Sequence, residues 1–482
     1  IFAAEFDWTP ISPAIFGSLF QSVMDKAERR KQGAHYTTEK NIMKVIGPLF
    51  LDDLKAELER AKALKRGRTQ ALDTLQARLS KLTFFDPACG CGNFLIITYR
   101  ELRRIEIQIV RELHGEKFNR PGFTASDYRF EAASLSKVDV DQFYGIELGE
   151  FPAEIARAAM WMMDHIMNNE LSLAFGQNYA RIPLVKSANV RTGDALEIDW
   201  ADVIAPETCD YVLGNPPFIG AKMQSKAQRE QVRHIAKLGG SGGTLDYVAA
   251  WFIKAGEFIN RSPKKTRIAF VATNSITQGE QVAQLWPILF DRCKLEIAFA
   301  HRTFAWGSDA RGKAHVHVVI IGITRRDDEV AEKRLFSYQN VNAEPIESKV
   351  TRLSPYLIFV SEQFRYLCVE SIASLLSAVR PLITGSKPVD GGFYIFDEAE
   401  RLKLVTDSPE LVPYIRPFVG ADEFIDGANR FILAVSKVPP KLRRENRIVS
   451  DLIGKVREFR LGQIPGKNDR QKKSIDPEFA AN

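Results

Sequence analysis

The sequence predicts an α/β fold: a mainly parallel sheet with helices on both faces and one antiparallel strand at its edge. Three observations carry this. Seven short β-branched or aromatic runs punctuate the chain, at Thr83–Pro87, Gln142–Leu148, Asn189–Ala195, Cys209–Asn215, Arg267–Asn274, Leu295–Ala300 and His315–Thr324. Helical stretches at about 93–113, 150–169, 247–260 and 279–291 lie between them, and such alternation implies parallel strands joined by helical crossovers. The last two runs have no long helix between them, so one of the pair runs antiparallel.

Around this centre the chain divides into three parts. Residues 1–32 form a helical N-terminal segment, in which Ile15, Leu19, Phe20, Val23, Met24 and Ala27 recur at helical spacing before the basic turn Glu28–Lys31. Residues 33–330 hold the α/β domain, opening with two helices over 39–82, the second strongly charged. Beyond Thr324 the alternation stops. Residues 331–482 mix short strands, Pro-rich turns and a basic helical end, which marks a separate C-terminal module.

Composition narrows the function. A length of 482 residues with 45% apolar and 26% charged side chains supports packed cores rather than disorder. The net charge is only +6, but Ser436–Lys473 carries twelve Lys/Arg against four Asp/Glu. That clustering suits a polyanionic partner, with a solvated tail as the competing reading. No run reaches the roughly 18–20 apolar residues of a membrane span, and the acidic start (Glu5, Asp7) is no signal peptide. The first residue is Ile1, not Met, which predicts that the chain is a piece of a longer one. Five cysteines without a CxxC pair argue against disulfides and zinc and fit a reducing cytoplasm. His315 and His317 alternate on a strand and read as a surface or core pair, so no metal is expected.

Two turns carry the chemistry. Phe84-Phe85-Asp86-Pro87-Ala88-Cys89-Gly90-Cys91-Gly92-Asn93 runs from a strand through small residues into a helix. Gly90 and Gly92 let the backbone approach a ligand, and the helix start offers free N–H groups. Asp86 would repel a pyrophosphate but hold an ammonium or sulfonium. The second strand ends on Glu147, placed to accept from ribose hydroxyls, although 55 residues separate it from Gly92 where about 20 is usual; an insertion over His114–Asp141 accounts for the excess. At the third strand's end, Asp194 beside Ala195 could accept from an adenine amino group, with a solvent-facing carboxylate as the bland alternative.

The fourth strand ends Gly214-Asn215-Pro216-Pro217-Phe218. Two prolines fix φ and remove two donors, leaving carbonyls as pure acceptors, and Asn215 adds a side-chain carbonyl. An exocyclic amine needs this pair of acceptors to hold its hydrogens and turn its lone pair toward an electrophile. Phe218 offers a face for base stacking. A flexible loop, Gly239–Gly243, follows and reads as a mobile segment that orders on a partner, with an inert linker as the competing reading.

Asp-Pro-Ala-Cys-Gly-x-Gly followed by Asn-Pro-Pro-Phe resembles the γ-class S-adenosylmethionine-dependent DNA adenine-N6 methyltransferases. Gly33-Ala34-His35-Tyr36-Thr37-Thr38 looks like their N-terminal cofactor segment, and Leu245-Asp246-Tyr247 continues the match. Gly391-Gly392-Phe393 and Tyr414–Gly420, with Glu423, Phe424 and Gly427, look like the approach to the target-recognition domain of MmeI-like (type IIL) restriction–modification proteins.

The resemblance implies a Rossmann-like class I methyltransferase with a seven-stranded sheet, S-adenosylmethionine as cofactor and duplex DNA as partner, working by base flipping. It implies that Tyr36 and Thr37 meet the methionine end of the cofactor. Asp86, Ala88, Gly90 and Gly92 would line it, Glu147 would hold the ribose, and Asp194 with Ala195 would face the adenine. Asn215 and Pro216 would bind the target amine, with Pro217 fixing the turn and Phe218 stacking the base. No PD-(D/E)xK nuclease pattern precedes residue 33 and little follows Phe459, so the nuclease and the recognition domain of the same polypeptide are expected to be missing. Cytosine-N4 methylation, methylation of a protein glutamine amide, and an idle DNA-binding domain remain the alternatives.

Overall fold

The computed structural model describes residues 37–118, 135–174, 187–238, 244–306, 316–328, 331–360, 388–420 and 429–467. The helix expected over 11–30, Tyr36, the Gly239–Gly243 loop, His315, Glu423, Phe424 and Gly427 lie outside them. The chain separates into two compact units, Ile1–Ile372 and Ala373–Asn482.

In the first unit the stretch over 39–82 forms three helices rather than two: α1 (Glu39–Ile46), α2 (Asp52–Lys62) and α3 (Arg68–Leu79). A π turn over Gly47–Leu51, with Pro48 at its start, joins α1 to α2. Then come β1 (Phe84–Asp86), α4 (Asn93–Phe118), β2 (Phe143–Glu147), α5 (Glu150–Ala174), β3 (Asn189–Thr192) and β4 (Tyr211–Gly214). After these follow α6 (Lys226–Ala236), α7 (Ala249–Ile259), β5 (Arg267–Thr273), α8 (Gly279–Pro287), β6 (Leu295–Trp306) and β7 (Val316–Arg325).

All seven expected strands form, in the order β3-β2-β1-β4-β5-β7-β6. β1 to β5 pair in parallel, and β7 pairs antiparallel with both β5 and β6. Two further strands extend the sheet to nine: β8 (Lys333–Ser337), parallel to β6, and β9 (Ile346–Val350), antiparallel at the edge. The antiparallel strand expected at the edge, β7, is therefore internal, and β9 takes the edge instead. The boundary expected at 330 falls within one sheet. β8 is anchored by a buried ion pair, Lys333 Nζ to Glu296 Oε1 at 2.9 Å, so the sheet continues past the point where strand–helix alternation ends.

Side chains of β5 alternate between two cores. Ala269 and Val271 face the core built with α1 to α5, around Phe50, Leu95, Tyr99 and Met160; Ile268, Phe270 and Ala272 face the core of α7 and α8, around Trp251, Phe252 and Trp286. A strand buried on both faces reads as a continuous apolar run, which is why Ile268–Ala272 stands out in the sequence. Each large side chain so buried contributes roughly 1.5–3 kcal/mol. Strand order reverses between β1 and β4, and such a switch opens a crevice at the carboxyl ends of the strands. Asp86, Glu147, Gly193-Asp194 and Gly214-Asn215 all lie at that end.

The second unit is built on an antiparallel sheet, β10 (Ile395–Phe396), β12 (Arg430–Leu433) and β11 (Ile415–Phe418), in that order. It also contains α9 (Glu398–Asp407), α10 (Pro440–Glu445) and α11 (Arg447–Arg460). Asp397 caps α9, its carboxylate accepting from the Glu400 N–H at 2.8 Å. The basic end is not a solvated tail through α11. Val449, Val456 and Phe459 are buried, while Lys441, Arg444, Arg447 and Arg457 stay exposed.

Candidate active site

The Gly-rich turn is shaped by close approaches. Gly92 has φ +85°, and a Cβ there would sit 3.1 Å from the Ala156 Cβ on α5. Gly90 has φ +56°, and a Cβ there would meet nothing within 4 Å among the described residues. Asp86 is 1% exposed; its Oδ1 accepts from the Ala88 N–H at 3.0 Å, and its Oδ2 has no hydrogen-bond partner among the described residues. Burial pushes the Asp86 carboxyl up to about 8, opposed by the Ala88 bond and assisted by Glu147. Gly214, at φ +155°, lies against this carboxylate, and a Cβ there would collide with Asp86 Oδ1. The acid of the first turn and the residue preceding Asn215 are thus in contact.

Glu147 comes to the Gly-rich turn despite the long insertion, because β2 pairs with β1 in the register Asp86↔Gly145. Its Oε2 accepts from the Gly90 N–H and its Oε1 from the Gly149 N–H, each at 3.0 Å. Burial raises this carboxyl, and those backbone bonds oppose the shift. Cys89 and Cys91 are poor nucleophiles: burial lifts the Cys89 thiol well above its ordinary value and that of Cys91 to about 12.

Asp194 accepts at Oδ1 from the Leu196 N–H and at Oδ2 from Gln231 Nε2, both at 2.8 Å. Ala195 is buried, and its carbonyl accepts from the Trp200 indole at 2.8 Å. The Asn215 side chain donates from Nδ2 to the buried Thr37 hydroxyl at 3.0 Å, which makes Oδ1 the acceptor end of its amide. Pro216 is buried, and Phe218 is half-buried against the α1–α5 core.

The segment after Phe218 is held by residues that stand outside the two turns. Asp246 Oδ1 accepts from the Ala221 N–H at 3.2 Å, and its Oδ2 accepts from Thr273 Oγ1 at 2.8 Å and from the Ser275 hydroxyl. The Tyr247 N–H donates to the Ile219 carbonyl at 2.9 Å, and Gln224 Nε2 to the Leu245 carbonyl at 2.8 Å. Asp246 and Tyr247 carry a sequence signal in the Leu-Asp-Tyr triplet; Gln224 and Gln231 carry none.

Residues 59–337 match the family described as the MmeI DNA-methyltransferase domain. The chain belongs to the MmeI family. A second match, over residues 363–481, is to the family described as the MmeI target recognition domain. "DNA methyltransferase A" of Bacillus subtilis (strain 168) is 37% identical over 454 residues, covering 93% of this chain and 48% of that protein. The structure of the type IIL restriction–modification enzyme MmeI in complex with DNA matches with a TM-score of 0.84 and 43% identity, over 94% of this chain and 57% of that one. The chain spans about half the length of these relatives. Its first unit has the Rossmann-like class I methyltransferase fold. Among the described residues no helix is long and apolar enough to cross a membrane, and no group of three or more His, Cys, Asp or Glu is placed to hold a metal.

Proposed function

We propose that this chain methylates the N6 amine of adenine in a specific duplex DNA sequence, using S-adenosylmethionine, as part of a restriction–modification protein of the cytoplasm. The observation that carries this reading is the contact of Gly214 with Asp86, which joins the turn proposed to bind the amine to the acid proposed to meet the cofactor. The residues fit that cofactor. Asp86 Oδ2 is buried without a hydrogen-bond partner among the described residues, and an uncompensated carboxylate oxygen is satisfied by a cationic ligand. A Cβ at Gly90 would meet nothing within 4 Å among the described residues.

S-adenosylmethionine supplies an electrophilic methyl group on a positive sulfur. Thr37 and Tyr36 are assigned to its methionine end, with Asp86, Ala88, Gly90 and Gly92 around it, Glu147 on the ribose, and Asp194 with Ala195 beside the adenine. Asn215 and the Pro216 carbonyl accept the two hydrogens of the target amine and aim its lone pair away from them. Pro217 keeps the turn rigid, and Phe218 stacks the base, a contact worth roughly 1–3 kcal/mol. The base must leave the duplex to reach this turn, at a cost of a few kcal/mol. Acceleration comes from positioning and from preorganised acceptors, with no dedicated general base.

The test is nucleoside mass spectrometry of duplex DNA incubated with the protein and methyl-labelled cofactor. N6-methyladenine is expected; label in N4-methylcytosine, or in protein alone, overturns the reading.

A further inference from the structure

Helix α6 lies in the excursion between the catalytic turn and α7, and one side chain on it reaches both halves of the site. Gln231 Nε2 donates to Asp194 Oδ2 at 2.8 Å and to Glu197 Oε1 at 3.2 Å. Its Oε1 accepts from the Tyr247 hydroxyl at 2.8 Å. Tyr247 in turn donates its backbone N–H to the carbonyl of Ile219, the residue after Phe218. The Tyr247 ring packs edge-on against Trp251, with centroids 5.2 Å apart, and the Trp251 indole donates to the Pro87 carbonyl at 3.2 Å. A continuous path therefore runs from the turn after β3, through α6, to the catalytic turn and back to the Gly-rich turn.

We propose that Gln231 is a positioning residue that couples occupancy of the cofactor's adenine pocket to the order of the segment following Phe218. An amide suits this place because it presents donors and an acceptor at once. Its two N–H groups face two carboxylates that would otherwise repel each other, and its oxygen faces a hydroxyl. Neither a carboxylate nor an ammonium satisfies all three partners. Burial, together with the charges of Asp194 and Glu197, pushes the Tyr247 phenol upward, so the hydroxyl remains a donor. The proposal rests on the assignment of Asp194 to the adenine.

Two variants test it, with S-adenosylhomocysteine as the probe and hydrogen exchange as a readout that a merely structural role would not move. Gln231→Leu is expected to weaken binding of the probe about tenfold, as loss of a hydrogen bond to a charged group does. In the unaltered protein the probe is expected to slow exchange at both 194–197 and 219–223. Tyr247→Phe keeps the ring on Trp251 but cuts the link, and is expected to retain protection at 194–197 while losing it at 219–223, with kcat falling more than the cofactor KM rises. Protection at 219–223 that survives in Tyr247→Phe, or probe affinity unchanged in Gln231→Leu, overturns the coupling. Asp194→Ala separates the two failures. If it weakens the probe while Gln231→Leu does not, the coupling alone is wrong; if it leaves affinity unchanged, the adenine assignment is wrong and the coupling falls with it.

Discussion

Asn215 donates from its side-chain amide to the hydroxyl of Thr37 at 3.0 Å, a bond that spans 178 residues of chain. It fixes which end of the amide is the acceptor. With Nδ2 donating to Thr37, Oδ1 is the end of the amide proposed, with the Pro216 carbonyl, to accept from the target amine. The bond also joins the segment assigned to the cofactor's methionine end to the turn proposed to bind the nucleobase. Thr37 itself lies just before α1, whose Glu39 accepts from Arg100 Nη1 of α4 at 2.9 Å.

Asn215→Ala is expected to lower the methylation rate by roughly 10²–10³-fold, the usual loss on removing one preorganised polar group that acts in the transition state. Cofactor affinity should stay within about twofold. Thr37→Val should fall between that variant and the unaltered protein, because it frees the amide to rotate without removing it. Single-turnover methylation of a duplex, alongside calorimetric titration of S-adenosylhomocysteine, reads both; undiminished transfer by Asn215→Ala would remove the assigned mechanism.

Burial raises the Asp86 carboxyl to about 8, so if Asp86 meets the cofactor's positive charge, as proposed, cofactor binding is expected to depend on pH. Below that pH the free protein holds Asp86 largely protonated. A cationic ligand favours the ionised form, so binding near pH 7 should release close to one proton, and affinity should rise with pH until about 8 and then level. Calorimetry in buffers of different ionisation enthalpy counts the proton directly. Zero release, together with flat affinity between pH 6 and 8, would mean that Asp86 does not meet the positive charge. Asp86→Asn should abolish the pH dependence as well as weaken binding.

The site is legible in the sequence where the backbone itself carries the signal. Gly90 and Gly92 at positive φ and the Pro216-Pro217 pair are conformational requirements written into residue type, and they stand at the expected strand ends. The sheet is legible through β7 because apolar runs there alternate with helices. β9 is not, since Ile346–Val350 is exposed along most of its length and has no apolar face to read. β8 carries Lys333, whose partner Glu296 lies 37 residues away. Gln231 is invisible for the same reason: its partners lie 37 and 16 residues away, and a glutamine on a polar helix face carries no periodic signature.

Glu147→Ala is expected to weaken the cofactor about tenfold or more. It removes the group assigned to the ribose and also leaves the Gly90 and Gly149 N–H groups without their acceptor, each worth about 1 kcal/mol or more when buried. Glu147→Gln keeps one acceptor oxygen and should recover part of the loss. Equal affinity for all three proteins would show that another group holds the ribose.

The basic end calls for substitution rather than truncation. α11 supplies Val449 to the core formed with Phe396, Leu404, Leu411 and Leu433, so deleting residues 436–482 would unfold the second unit and make any weakening of DNA binding uninterpretable. Replacing the exposed Lys441, Arg444, Arg447 and Arg457 with Gln leaves that core intact. If these cations touch phosphates, the slope of log K against log salt should flatten by about 0.9 for each phosphate no longer neutralised, and affinity should fall alike for cognate and random duplexes. A fall confined to the cognate duplex would instead place these side chains on base edges. An unchanged slope would put the phosphate-binding cations elsewhere on the protein and leave the local charge excess without a role in DNA binding.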